Sequence, residues 1–382
     1  MQFRDLKRQY YILKEDIDQA IQNVLTTGNY ISGIQVIELE KQLAKYVGVK
    51  HCITCANGTD ALSLALMAWN IGGGDAVFVP DFTFFASGES VAHRGAAPIF
   101  VDVNADSFNM SPDSLEKAII KVLDEKKLNP KVIVAVDLFG QPADYPEIRR
   151  IAKKYHLLVL EDGAQGFGGK IGKQRACSFG DISTTSFFPA KPLGCYGDGG
   201  AVFTDNDEWA SLMRSYRIHG KGADKYDNVR IGINSRLDTL QAAVLQIKLQ
   251  AFEKYELEAV NDAAERYSQN LKDVVKIPQI KEGFYSSWAQ YSILLSNENI
   301  RKDLQVYLKE KGIPTMIYYS KPMSQQTAFE GMDTVKIELS VTEQLCRQVL
   351  SLPLSPYIQQ GEQDKVICCI KKFFETRPCE YI

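Results

Sequence analysis

The chain has 382 residues, 45% of them hydrophobic and 24% charged, and a formal net charge of −3. That length exceeds what one hydrophobic core usually supports, so two domains are expected. The near-neutral balance has no basic stripe and the chain no run of about 18 apolar residues, which argues against nucleic acid or a membrane as partner.

The opening MQFRDLKRQYYILKEDID is charged and lacks the apolar core of a signal peptide, so a cytoplasmic protein is expected. HCITC then reads as a strand and ALSLALMAWN as a helix. Cys52 and Cys55 form a C-x-x-C within that strand. No second pair and no suitably spaced histidines accompany them, so they read as buried reduced thiols and no metal is expected. AVFVP, APIFVDV, VIVAVDLFG and LLVLED read as further strands, separated by helical patterns in ASGESVAHRG, SPDSLEKAIIKVLDE and PEIRRIAKKYH. Ser111 is placed to cap the helix that Pro112 opens. STTSFF and GGAVFT follow as two more strands. These are continuous Val/Ile/Leu runs rather than alternating ones, which means strands buried on both faces of a mostly parallel sheet.

After residue 235 the texture changes. Leu237, Leu240, Val244, Ile247 and Ala251 recur at helical spacing in one long stretch. Beyond it, WAQYSILL, NIRKDLQVYLKEKG, TMIYY, LSVTEQLCRQVLSLPL and EQDKVICCIKKFFE alternate strands and helices. The expected division is a large α/β domain over residues 1–247 and a smaller α+β domain over 248–382, with the long helix joining them.

In an open parallel sheet, ligands bind beyond the carboxyl ends of the strands. Gly58, Thr59 and Asp60 open the helix after HCITCAN. Free backbone N–H groups and the helix dipole make that turn a candidate phosphate cradle, or else Thr59 or Asp60 simply caps the helix. Phe84 follows the AVFVP strand, either as a stacking surface or as a core aromatic. Asp162 ends LLVLED, where a buried carboxylate needs a cation such as a protonated ring nitrogen. Gln165 lies three residues on and can donate to a ring hydroxyl. Lys191 stands between two prolines in SFFPAKPLGCYGDGG. A lysine that forms a Schiff base must be held in place and lose its charge easily. Ser186, five residues upstream, can bind a phosphate. A phosphate cradle, a stacking ring, an acid and a clamped lysine together meet the needs of pyridoxal 5′-phosphate (PLP).

Several stretches carry a family resemblance that runs nearly end to end: FRDLKRQY, TGNYISGIQVIELEKQLAKYVG, CANGTDAL, DFTFFAS, EDGAQGFGG, TSFFPAKPLGCYGDGG, GINSRLDTLQAAVL and TMIYYSKPM. The chain resembles the DegT/DnrJ/EryC1/StrS aminotransferases, which act on nucleotide-linked keto-sugars. Its lysine stretch and GINSRLD are most similar to those that aminate UDP-2-acetamido-2-deoxy-3-oxo-glucuronate with glutamate. The resemblance implies a fold-type I PLP transferase, with a mostly parallel seven-stranded sheet in its large domain and a smaller α+β domain. It implies Lys191 as cofactor lysine and proton shuttle, cycling between PLP and pyridoxamine phosphate. Asp162 would pair with the pyridine nitrogen, Gln165 would sit by the ring hydroxyl and Phe84 would stack. Gly58, Thr59, Asp60 and Ser186 would bind the phosphate. Asn234 would reach the phosphate in the neighbouring subunit of a homodimer. Arg236, on the same loop, would hold a substrate carboxylate. Tyr318, Tyr319 and Tyr30 are further substrate candidates, although many relatives carry His-Tyr where this chain has Tyr318-Tyr319.

Other readings stay open at this point. The same cofactor residues would serve a 4-keto-6-deoxy UDP-sugar or a dTDP-3-keto-6-deoxy sugar. A non-catalytic regulator on this fold, or a nicotinamide oxidoreductase using the Y-x-x-x-K of Tyr307 and Lys311, are readings from other classes.

Overall fold

The computed structural model describes residues 1–224, 226–332 and 334–375; Cys379, the last of the eight cysteines in the sequence, lies outside them. Two helices, α1 (Leu6–Thr27) and α2 (Ile34–Val47), precede the sheet. Its strands are β1 (His51–Cys55), β2 (Asp75–Pro80), β3 (Ala97–Val101), β4 (Asn129–Val136) and β5 (Leu158–Asp162). Two short strands, β6 (Lys170–Ile171) and β7 (Gln174–Arg175), stand apart, and β8 (Ile182–Ser186) and β9 (Gly200–Thr204) complete the sheet.

The seven strands lie in the order β1-β9-β8-β5-β4-β2-β3. Every pair is parallel except those β9 makes with β1 and β8. The fold is therefore the expected α/β type I architecture. Helices α3 (Gly58–Ala68), α4 (Ala86–His93), α5 (Pro112–Glu125) and α6 (Tyr145–Tyr155) connect the strands, and α7 (Asp207–Tyr216) follows β9. Ser111 caps α5 by accepting from Ser114 N, with Pro112 in the first turn, as the sequence implies. The antiparallel β9 brings the N-terminal end of that strand, Gly200, to the edge where β1, β5 and β8 end. One edge thus collects Cys55, Asp162, Ser186 and Gly200.

Cys52 and Cys55 fall into different apolar cores on opposite faces of β1, which follows from the two-residue period of a strand. Both thiols are buried and unpaired, and burial pushes Cys55 up to about 12.

The long helical stretch is α8 (Thr239–Ala251), a π-helical turn at Phe252–Glu256, and α9 (Leu257–Leu271). Leu245, Leu249 and Phe252 pack into the core with α2, whereas Val260, Ala264 and Tyr267 pack into a separate core. That second core holds β11 (Tyr291–Leu294), α10 (Glu298–Glu310), β12 (Val349–Leu352) and α12 (Gln360–Glu375). A short strand, β10 (Phe284–Tyr285), instead pairs with β6, and α11 (Ser340–Gln348) packs by Leu345 against the large sheet's core. TMIYY is not the strand its apolar run suggests. Only Met316 bridges, to Ser351, and the tyrosines that follow form a turn. Tyr307 and Lys311 lie on and just after α10, where the Tyr307 ring packs against Phe373. Among the described residues no helix is long and apolar enough to cross a membrane.

Candidate active site

Asp162 is buried at the end of β5, its neighbour Glu161 pointing the opposite way. Glu161 is fixed below the sheet by Phe179 N (2.6 Å), Gly180 N (3.1 Å) and Ser183 Oγ (2.8 Å), which locks the strand end that presents Asp162. Asp162 accepts from Ser87 Oγ (2.8 Å) and Ala164 N (3.2 Å). Thr83 Oγ1 lies 3.2 Å from Ser87 Oγ, extending the chain of hydroxyls from α4 into the turn before it. Burial raises the Asp162 carboxyl, opposed by Ser87, the charge of Lys191 and Ala164. Among the described residues no cation makes an ion pair with it.

Lys191 is half-buried in the loop between β8 and β9, with its amine 5.9 Å from the centre of the Phe84 ring. Burial lowers its pKa, Asp162 opposes that shift, and Arg4 adds to it. Phe84 is not a core aromatic. It is 55% exposed, with Tyr319 tilted against it at 6.4 Å between centroids. Gln165 is buried, its Oε1 accepting from Phe139 N (2.7 Å) and its amide donating to Tyr319 Oη (3.2 Å). Tyr318 packs edge-on against Phe3 at 6.2 Å.

At the α3 start, Asn57 is the cap, accepting from Asp60 N at 2.8 Å; neither Thr59 nor Asp60 has that task. A Cβ added at Gly58 would stand 2.8 Å from Ser186 Cβ and 3.3 Å from its Oγ. The helix N-terminus and the Ser186 hydroxyl therefore share one small concavity, closed beneath by Gly200, where a Cβ would meet Asn57 O at 2.4 Å. An open ring face, a buried acid lacking a cation, a half-buried lysine and this concavity fit a flat, cationic, phosphorylated cofactor.

The remaining candidates lie elsewhere on the chain. Asn234 is exposed and bridges to Ile218. Arg236 lines an open pocket with His219, Lys221, Asn228 and Arg230. Between them, Ser235 Oγ accepts from Ala56 N at 3.0 Å. Tyr30 is 49% exposed, its carbonyl accepting from Thr239 N at 2.9 Å. No hydrogen bond or ion pair found among the described residues ties Asn234, Arg236 or Tyr30 to Lys191 or Asp162 of the same chain. Sequence reasoning missed Ser87 and Arg4, although DFTFFAS and FRDLKRQY both stand out as motifs.

The DegT/DnrJ/EryC1/StrS aminotransferase family matches residues 11–371. The chain belongs to that family. A solved DegT DnrJ EryC1 StrS aminotransferase from Brucella abortus is 50% identical, superposes with a TM-score of 0.95, and is covered over 98% of this chain and 99% of its own. The UDP-2-acetamido-2-deoxy-3-oxo-D-glucuronate aminotransferase of Pseudomonas aeruginosa is 43% identical over 96% of this chain and 98% of its own. NtdA from Bacillus subtilis, solved with bound cofactor PMP, is 31% identical, covers 95% of this chain and 82% of its own, and has a TM-score of 0.84. This chain is a PLP-dependent sugar aminotransferase.

Proposed function

We propose that the protein transfers the amino group of L-glutamate to C3 of UDP-2-acetamido-2-deoxy-3-oxo-glucuronate, supplying an amino-sugar for surface polysaccharide, and that it works as a cytoplasmic homodimer. The observation that carries the chemistry is the convergence of Lys191, Asp162, Phe84 and the Gly58–Ser186 concavity at one sheet edge. The likeness to the Pseudomonas aeruginosa enzyme supports the sugar. So does the pocket of His219, Lys221, Arg230 and Arg236, a set of basic groups suited to an anionic sugar nucleotide.

When bound, the cofactor supplies an electron sink that lets a C–H bond beside an amine break heterolytically. The chain's own groups do the rest. Lys191 Nζ takes the proton from the donor's α-carbon and returns a proton in the second half of the cycle, a task suited to an amine whose charge burial disfavours. Asp162 holds the ring nitrogen protonated, and Ser87 and Ala164 N hold Asp162. Gln165 with Tyr319 would hold the ring hydroxyl, and the exposed Phe84 would offer a stacking surface. The N–H groups of Gly58 and Thr59, with Ser186 Oγ, would hold the phosphate, the Asp60 N–H being already taken by Asn57.

Asn234 and Arg236 act in the neighbouring subunit's site. Exposed Tyr30, Ile31, Ile34 and Ile37 support a second copy on this side, since the same segment bridges to Asp238 beside the Arg236 loop. Asn234 completes the phosphate site and Arg236 pairs with the sugar carboxylate.

Four experiments check this reading. Half-reactions from the pyridoxamine form against a panel of keto-sugar nucleotides should favour the carboxylated UDP-sugar; preference for a 6-deoxy sugar would overturn it. Arg236→Gln should raise the KM for the carboxylated sugar by about tenfold to a hundredfold while leaving the glutamate half-reaction near wild type. Co-expressed Lys191→Ala and Arg236→Gln chains should then regain turnover through one intact site per hybrid dimer, and no recovery would place Arg236 in its own subunit's site. Gly58→Ala should weaken PLP binding by about tenfold or more, because the methyl overpacks the concavity by about 1–3 kcal/mol; a cofactor titration with wild-type affinity would remove Gly58 from the phosphate site.

A further inference from the structure

The segment before α1 is stitched down on both sides of one arginine. On one side, Leu354 N donates to Phe3 O (3.2 Å), and the Phe3 ring meets Tyr318 edge-on at 6.2 Å. On the other, Arg8 donates to Tyr357 O (2.7 Å) and to Glu362 (2.9 Å), while Asp5 caps α1. These anchors belong to the C-terminal part of the chain. Between them Arg4 turns inward, and its Nη2 donates to the carbonyl of Lys191 at 2.9 Å. Its Nη1 lies 3.5 Å from Ala289 O.

A guanidinium in this place is costly. Among the described residues no carboxylate lies within ion-pair distance of it. Glu256 is the facing acid, but it accepts from Gln9 Nε2 (2.7 Å) and from the Tyr357 hydroxyl. Burial pulls Arg4 down to about 10. A strap needing only anchorage would hold through Phe3 and Arg8, and an apolar residue at position 4 would carry no desolvation penalty.

We propose that Arg4 is a positioning residue for the transamination: through the Lys191 carbonyl it keeps the lysine's main chain fixed while the side-chain amine moves between cofactor and substrate. The proposal rests on the reading of Lys191 as the cofactor lysine. The hold is long-range, since Phe3 and Arg8 tie the strap to the loop after β12 and to α12. It also has an electrostatic side. Two charged groups face the Lys191 amine, Asp162 from β5 and Arg4 from the strap, and they act in opposite directions. Glu256 and Tyr318 face Arg4 in turn. Without Arg4, only burial opposes Asp162 and the amine binds its proton more tightly.

The test uses holoenzyme with Arg4→Met, Arg4→Lys and Phe3→Ala. Titration of the cofactor's visible absorbance against pH reads the charge effect without turnover. For Arg4→Met the midpoint should rise by about one unit. Its kcat should fall about tenfold to a hundredfold with KM for glutamate little changed, as expected for a misplaced catalytic group. Arg4→Lys should keep the wild-type midpoint and yet lose kcat, because one ammonium cannot reproduce the planar guanidinium brace. Phe3→Ala should lower kcat without moving the midpoint. A wild-type midpoint and kcat in Arg4→Met would overturn the proposal, as would a change confined to Tm or to KM. If Arg4→Met does not fold, Arg4→Lys decides, and wild-type kcat there sinks the idea. Retention of the absorbance band in Lys191→Ala would instead overturn the underlying reading of the lysine.

Discussion

Lys191→Ala is expected to lose turnover by about a thousandfold or more and to lose the visible absorbance of the lysine-linked cofactor. Two losses combine in that figure: the covalent anchor, and the amine that moves the proton between donor carbon and cofactor. The fold should survive, because the side-chain amine faces an aromatic ring at 5.9 Å and the Asp162 carboxylate rather than a packed core. Its main-chain tie to Arg4 involves the carbonyl, which alanine keeps. The expected result is a soluble protein with an unchanged circular dichroism spectrum that still takes up pyridoxamine phosphate. Turnover near wild type would remove Lys191 from the chemistry, and with it the mechanism proposed above.

Asp162→Asn should lower kcat by about two to three orders of magnitude, because a preorganised charge at the ring nitrogen is lost. The same change should leave the apoprotein as stable as wild type or more so. Ala164 N can still donate to the amide oxygen, the Ser87 hydroxyl on the other carboxylate oxygen can turn to accept from the new amide nitrogen, and the buried charge is gone. The pH dependence separates this from a simple lesion. A carboxyl whose pKa is raised by folding contributes stability in full below the ordinary aspartate value of about 3.9. It loses that contribution as pH rises through the raised value. The Tm advantage of Asp162→Asn over wild-type apoprotein should therefore widen as pH rises above about 4. Adding PLP should reverse it, since the cationic ring favours the carboxylate only in wild type. Calorimetry of both forms checks this, and a variant less stable than wild-type apoprotein across the range would mean that Asp162 serves the fold rather than the cofactor.

Much of this architecture was legible in the sequence, for reasons that are local. Uninterrupted apolar runs in β2 to β5 can be satisfied only by burial on both faces, and that demands a mostly parallel sheet. Ser111-Pro112 signals a helix start because cap and fixed φ act over one turn. Asp162 and Lys191 stood out because a carboxylate at the end of a buried strand and a lysine between prolines are expensive unless used. The reading of TMIYY as a strand failed because one residue of the run, Met316, bridges to Ser351 and no second strand extends along it. The alternative reading of Thr59 or Asp60 as the α3 cap gave way to Asn57, one residue before the GTD turn, whose side chain accepts from Asp60 N.

The sequence by itself determined the sheet, its helical cover and the residue types of the cofactor site, since each follows from periodicity, caps or charge placed within a few residues. Only the tertiary structure decided which of those residues meet. Ser87 reaches Asp162 across 75 residues, Tyr319 reaches Gln165 across 154, and Arg4 reaches Lys191 across 187. Such contacts are set by how loops from separate strands fold over one sheet edge, and chain spacing carries no trace of them. That is why the lysine's stiff frame could be read from its prolines, while the arginine that holds its carbonyl could not.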